Sequence, residues 1–381
     1  MPSFPLIPLG EIITYAPNPH EVNPDGEYPI AGIYGFGRGM IQRAAIAGRE
    51  MAATQLFRIR AGQFIYSRLK SFEGAYSIVS PELDGYFVSQ EFPTFDLDRE
   101  KIEPEFLGWY FKQHRVWQQL ASDGRGIGAR RERLHPKRLL DHAIPFPTLE
   151  QQRRIIALLD AAAAAVAKRR VGADAVETEI TATLRAAFAR IIADAPRVRM
   201  RDVARLVRRP VAIEPEAKYP ELGVRSFGKG TFHKAPLAGI DVGTKKLFYV
   251  AAGDLLFNIV FAWEGAVAVA ANGDAGRVGS HRFLTCVVEP DRSTPDFLKY
   301  WFLSEEGLLA LNRASPGGAG RNRTLGIKAL EAIEVPTPSL DALLWFDDLQ
   351  TKARAARRAQ VEASADLDRL LPAMLHEAFG D

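Results

Sequence analysis

Tyr28-Pro29-Ile30-Ala31-Gly32-Ile33-Tyr34-Gly35-Phe36-Gly37-Arg38-Gly39 comes back later in the chain as Tyr219-Pro220-Glu221-Leu222-Gly223-Val224-Arg225-Ser226-Phe227-Gly228-Lys229-Gly230. The offset is 191 residues, the distance from Tyr28 to Tyr219, and it holds along most of the sequence. Leu56-Phe57 returns as Leu247-Phe248, Ala61-Gly62 as Ala252-Gly253, and Glu73-Gly74-Ala75 as Glu264-Gly265-Ala266. Further on, Pro104 and Phe106 return as Pro295 and Phe297, Arg130 and Leu134 as Arg321 and Leu325, and Ala187-Phe188 as Ala378-Phe379. Pro145 and Pro147 likewise match Pro336 and Pro338. Such a unit is far longer than a solenoid repeat, so each holds a whole domain plus a connector. A duplicated domain in one chain implies pseudo-two-fold symmetry without a dimer. It suits a target with two unlike halves, because each copy can drift to read its own half.

Each copy divides in two. Residues 1–147 are rich in Gly, Pro and aromatics, with short runs such as Gln55–Arg60, Gln63–Ser67 and Tyr76–Ser80 that read as strands between turns. Two helices are expected in this part; one starts after Pro104 and carries Phe106, Leu107, Tyr110 and Phe111 on one side, with Trp117 and Leu120 further on, and Phe297, Leu298, Trp301 and Phe302 follow Pro295 in the same way. That pattern is an α+β domain. From Leu149 the apolar residues run through Ile155, Ile156, Leu158, Leu159, Val166, Val176, Ile180, Leu184 and Phe188, many of them three or four apart. Thr148 and Gln151 form a capping box, Pro147 and Pro196 bracket the helix, and Gly172 marks a candidate kink. The matching stretch has Ser339 as N-cap and Asp341 in its first turn. Pro372 should break it and begin a short last helix. An uninterrupted helix of about 30 residues would run roughly 45 Å, and two related by the repeat would pair antiparallel as a spacer.

With 47% hydrophobic and 25% charged residues, the chain reads as globular. It has no run of eighteen apolar residues and no basic-then-apolar start, so neither a membrane span nor a signal peptide is expected. The single cysteine, Cys286, excludes a disulfide framework and a cysteine zinc site and fits a reducing, cytoplasmic setting. Net charge is only +3, but the basic residues cluster. Six lie between Ala121 and Arg138 against two acids, and six arginines lie between Pro196 and Arg209 against one.

Catalytic signatures are missing from the sequence. It contains no Gly-Lys-Ser/Thr phosphate loop, no His-Glu-x-x-His and no Gly-x-Ser-x-Gly. Gly35-Phe36-Gly37-Arg38-Gly39 lacks the dinucleotide spacing and reads as a tight turn. Pro295-Asp296-Phe297 reads as a helix start, and the seven histidines show no ligand spacing. No catalytic or metal-binding residue is assigned. Two full copies without an active site favour a protein that directs another's chemistry.

The constellation that binds is glycine-rich and loaded with arginine. Ser122-Asp123-Gly124-Arg125-Gly126-Ile127-Gly128-Ala129-Arg130-Arg131-Glu132-Arg133-Leu134 has as its counterpart Ala314-Ser315-Pro316-Gly317-Gly318-Ala319-Gly320-Arg321-Asn322-Arg323-Thr324-Leu325. Glycines allow close approach to a phosphate chain, and arginines grip phosphate or the guanine edge with two donors. The candidate DNA-binding residues are Arg125, Arg130, Arg131, Arg133 and Lys137 in the first copy, and Arg321, Asn322, Arg323 and Lys328 in the second. Arg38, Arg43, Arg68, Lys70, Lys229 and His233 lie in other turns; each taken singly reads as solvated.

Ile144-Pro145-Phe146-Pro147-Thr148-Leu149-Glu150-Gln151-Gln152-Arg153-Arg154-Ile155-Ile156 resembles the passage from target-recognition domain to conserved helix in the specificity subunits of type I restriction-modification systems. Leu371-Pro372, Leu375 and Ala378-Phe379-Gly380 resemble that family's closing helix. Gly253-Asp254-Leu255-Leu256 resembles its Gly-Asp-x-Leu strand, with Gly62-Gln63-Phe64-Ile65 in the first copy. The resemblance implies target-recognition domains at 1–147 and 194–338, and helical spacers at 148–193 and 339–381. It implies a non-catalytic subunit that reads a bipartite DNA target. Its partners would be double-stranded DNA, adenine methyltransferase subunits using S-adenosylmethionine, and restriction subunits using ATP and Mg2+. Leu149, Glu150, Gln152, Ile155 and Ile156 are the residues expected to dock a partner. Ser339-Leu340-Asp341-Ala342-Leu343 departs from the pattern by losing Glu-x-Gln, which questions symmetric docking. Two alternatives remain at this point: a protein-binding adaptor with duplicated interaction domains, and an enzyme of another type.

Overall fold

The computed structural model describes residues 4–121, 133–317 and 323–380. The chain forms two compact units, Met1–Ala173 with Gln360–Asp381, and Asp174–Ala359.

The first unit is built on a four-stranded antiparallel sheet in the order Tyr76–Ile78, Phe64–Tyr66, Thr94–Leu97, Ile13–Tyr15. The second has Val267–Val269, Leu255–Asn258, Phe283–Val288 and Ala204–Val207 in the same order. Even the register repeats: Phe64 lies opposite Phe95 as Leu255 lies opposite Cys286. Apolar residues cover these central strands because both faces are buried, one under short helices. In each unit the chain is clasped just before its long helix. Leu6–Pro8 pairs with Ala143–Pro145, and Arg197–Arg199 with Glu334–Pro336.

The helix expected after Pro104 spans Pro104–Tyr110, and a second, His114–Ala121, carries Trp117 and Leu120. The long helices run Leu149–Ile192 and Leu340–Phe379, 44 and 40 residues. Thr148 and Gln151 form the reciprocal cap: Thr148 N–H donates to Gln151 Oε1 at 2.9 Å, and Gln151 N–H to Thr148 Oγ1 at 3.4 Å. Ser339 Oγ accepts from Ala342 N–H.

Both long helices run on through the positions singled out above. The first long helix continues through Gly172, which is exposed and has open space around it. The second continues through Pro372. A proline removes one helical donor and crowds the carbonyl four residues back. Here Pro372 and Asp368 are both exposed, and a freed carbonyl costs little where solvent can reach it. Beyond the proline, Leu375 and Phe379 are buried in the first unit's core and hold the last turns in place.

The helices are divided between the units. The first unit's core takes Leu159 from one helix and Leu375 and Phe379 from the other. The second unit's core takes Leu184, Ala187 and Phe188 together with Leu343, Phe346 and Ala353. Within each unit the two segments run antiparallel. Arg357 binds Glu177 and Thr181 in the second unit, and Arg170 pairs with Asp368 in the first. The repeated Ala-Phe pair closes both cores: Phe379 packs on Phe106 with ring centroids 5.1 Å apart, and Phe188 on Phe297 at 5.7 Å. Among the described residues, no helix is long and apolar enough to cross a membrane.

Candidate nucleic-acid interface

One short turn organises the candidate surface of each unit. In the first it spans residues 68–75, with a single 3-10 turn at Ser71–Glu73 ended by left-handed Gly74. In the second it spans 259–266, with Ala262–Glu264 ended by Gly265. Side chains fill the space that a Cβ at Gly74 would need: Trp117 would lie within 2.3 Å of it. A residue larger than glycine would therefore displace the turn.

The leucine that follows each glycine-arginine stretch is fastened to this turn. Leu134 N–H donates to Arg68 C=O at 3.0 Å, and Leu325 N–H to Ile259 C=O at 2.8 Å. Both leucines are buried. Tyr66 adds a bond from its hydroxyl to Leu134 C=O at 2.9 Å. Burial pushes the Tyr66 phenol well above its ordinary value, so it stays a donor. Arg133 ion-pairs with Glu91 at 3.2 Å, and Glu91 C=O accepts from Arg68 N–H. Arg323 donates to Asn312 Oδ1 at 2.8 Å and lies over the Trp263 ring, 5.2 Å from its centroid.

On the same turn rests the tip of a hairpin. Strands Ala31–Ile33 and Met40–Gln42 make it in the first unit, Leu222–Val224 and Thr231–His233 in the second. Phe36 N–H donates to Glu73 C=O at 2.5 Å and Gly37 N–H to Gly74 C=O at 3.1 Å. Phe227 and Gly228 bond to Glu264 and Gly265 at 2.8 and 2.9 Å. The turn expected at Gly35–Gly39 is present, with a feature that sequence reading missed. Phe36 and Phe227 have φ of 61° and 60° and are the only non-glycine residues at positive φ among those described. That region costs an L-residue roughly 1–2 kcal/mol. Arg38 lies over Tyr34 at 4.7 Å, Arg225 over Phe232 at 4.8 Å, and Lys112 over Trp109 at 3.7 Å.

Of the expected DNA-binding residues, the structure brings Arg133 and Arg323 to this turn. Lys137 and Lys328 are exposed on the short helices that follow, Pro136–Leu140 and Ile327–Ala332. Arg125, Arg130, Arg131, Arg321 and Asn322 lie outside the described residues. In the second basic cluster, Pro196–Arg209, three of the six arginines are engaged within their own unit, while Arg199, Arg201 and Arg205 are exposed. Arg197 forks onto Glu306, Arg209 forks onto buried Asp254 at 2.7 and 3.1 Å, and Arg208 donates to Phe283 C=O. His233, read as solvated, bonds buried Asp274 at 2.9 Å.

The Asp of Gly253-Asp254-Leu255 has a structural duty. Asp254 Oδ2 also accepts from Ala251 N–H at 2.7 Å, and in the first copy Gln63 Oε1 accepts from Arg60 N–H at 2.9 Å. Burial pushes the Cys286 thiol up to about 12, keeping it protonated and inert.

The expected docking set needs one correction. Gln152 is fully buried; its amide donates to Lys101 C=O and Pro147 C=O, both at 3.0 Å, and accepts from Glu103 N–H at 2.9 Å. It fastens the helix to its domain and offers nothing to a partner. Leu149, Ile155 and Ile156 are half-buried, the two isoleucines against the core, while Glu150 is exposed and pairs with Arg154.

This architecture is found in solved structures. The HsdS subunit from Thermoanaerobacter tengcongensis superposes with a TM-score of 0.63 at 22% identity, covering 99% of this chain and 97% of that one. The chain has the HsdS fold. A chain from a structure of a type I R-M system superposes with a TM-score of 0.69 at 21% identity, over 100% and 98% of the two chains. No family model matches the sequence, and no curated protein matches it. The HsdS fold therefore rests on three-dimensional agreement across the whole length, which includes both repeats and both long helices.

Proposed function

We propose that this chain is the DNA-specificity subunit of a type I restriction-modification system. It reads a bipartite duplex target, one half with each unit, and brings methyltransferase subunits to it. The observation that carries the reading is the repeated turn. In each copy of an HsdS-fold chain, one turn holds both the root of an arginine-rich glycine loop and a hairpin tip flanked by exposed cations. A polyanion is the natural counterpart of such a surface. Methyl transfer from S-adenosylmethionine, and ATP-driven restriction, belong in this reading to partner subunits.

Arg130 and Arg321 hold the same place in both copies while the two halves differ, so their role is to bind phosphate. Arg131 against Asn322 and Arg133 against Thr324 differ between copies and are the better readers of bases. With Gln152 buried, exposed apolar residues on the long helices are better docking candidates: Leu158 in the first unit, Leu344 and Trp345 in the second.

The test has two arms. Full-length chain is titrated with mixed-sequence duplex DNA over a salt series, and the affinity should fall steeply with salt. The chain is also purified with its cellular partners and the methylated adenines are mapped; a split motif is expected. Salt-independent or absent duplex binding returns the adaptor reading. Arg130→Ala and Arg321→Ala should each flatten the salt slope by about one charge on every duplex.

A further inference from the structure

Phe36 and Phe227 occupy the same point of the same hairpin tip in both units, in a backbone region where phenylalanine is strained. Packing does not account for them, since they are 64% and 72% exposed. A glycine would take the same conformation freely, and each tip already uses glycines at neighbouring positive-φ positions, Gly37, Gly39, Gly228 and Gly230. Strain held at an exposed aromatic, twice, points to a contact off the molecule.

The surroundings say what that contact is. Two residues on from each ring stands an exposed cation, Arg38 or Lys229. The turn that receives each Phe N–H also anchors the arginine-loop exit, and in the second unit Trp263, under Arg323, immediately precedes Glu264, which bonds Phe227. A duplex groove offers both chemistries, phosphates for the cations and base edges for the ring.

We propose that Phe36 and Phe227 are the groove wedges of the two units. Each ring enters between base-pair edges at one step, with Arg38 or Lys229 on the flanking phosphate. Because the ring is the same in both copies, it acts without regard to sequence, deforming the duplex while the loops read it. This inference rests on the DNA reading above.

The test compares the full chain with a Phe36→Gly/Phe227→Gly variant on a mixed-sequence 40-base-pair duplex, following affinity across salt and the thermal midpoint. The expected result is affinity weaker by about tenfold or more, an unchanged salt slope, and a midpoint no lower than that of the parent. Phe36→Asn/Phe227→Asn, which also tolerates positive φ, should bind as weakly. Arg38→Ala/Lys229→Ala should instead flatten the salt slope. Equal affinity of the parent and the glycine variant overturns the wedge alone. A lower midpoint in both ring variants also overturns it, because the rings would then be holding the fold. A parent chain that does not bind duplex overturns the DNA reading and the wedge with it.

Discussion

Gln152 Oε1 accepts from the backbone N–H of Glu103 at 2.9 Å, at the residue that caps the helix beginning with Pro104. In the second copy the position of Gln152 is taken by buried Leu343, and that of Glu103 by Thr294. Thr294 caps its own helix, its Oγ1 accepting from Phe297 N–H at 3.1 Å. One copy supplies an internal hydrogen bond from the long helix and the other from a local hydroxyl. Loss of Glu-x-Gln in the second copy therefore removes this fastener, and the helix there is capped by its own Thr294.

Gln152→Leu, which copies the second unit, should still destabilise the first. Glu103 N–H, Lys101 C=O and Pro147 C=O would lose their partner, and leaving buried backbone groups unsatisfied costs about 1–3 kcal/mol. Leu343→Gln should cost at least as much, since it buries an amide without partners. Chemical denaturation of the full chain measures both; a neutral Gln152→Leu would contradict the fastener.

Phe379→Ala should destabilise the first unit by about 3–5 kcal/mol, through lost burial and the cavity left against Phe106 and Tyr110. Phe188→Ala should do the same to the second unit, where the ring meets Phe297, Tyr300 and Phe346. Hydrogen exchange resolved by segment should place each loss in its own unit. A loss confined to fraying of the last helical turn would show that Phe379 is not part of the core.

Acid should weaken the first unit before the second. Burial, with Arg115 nearby, lowers His142 to about 4, and its Nε2 faces the Tyr110 hydroxyl at 2.9 Å. The unfolded value is near 6.5, so stability is full above that pH and is lost as pH falls towards 4. The loss is of order 3 kcal/mol at most. The second copy has Ile333 in this place, which does not titrate. His142→Leu should flatten the first unit's stability between pH 6.5 and 4; an unchanged profile would assign the acid sensitivity elsewhere.

Each long helix starts in one unit and ends in the other. If helix length sets the separation of the two DNA half-sites, adding about one turn should alter the gap. Four residues inserted after Ala173, matched by four before Gln360, keep the antiparallel segments in step. Methylated sites mapped for the complex should then show a changed spacer. The same spacer as in the parent would defeat the ruler idea.

The sequence alone determined whatever depends on near neighbours along the chain. Capping at Thr148 and Ser339, the apolar periods of the long helices and the identity of the two copies all reside in local order, and the structure carries each of them. The glycine-arginine stretches stand out in the sequence for the same reason, as glycine and cation held at one offset, though most of their residues lie outside those described. Tertiary structure decided what depends on residues brought from far away. Gln152 reads as a surface residue of an amphipathic helix until Lys101, Glu103 and Pro147 close around it. Pro372 reads as a stop until the burial of Leu375 and Phe379 outweighs its missing donor. Phe36 and Phe227 read as ordinary turn residues, because a positive φ held against a distant Glu-Gly turn leaves no trace in local sequence.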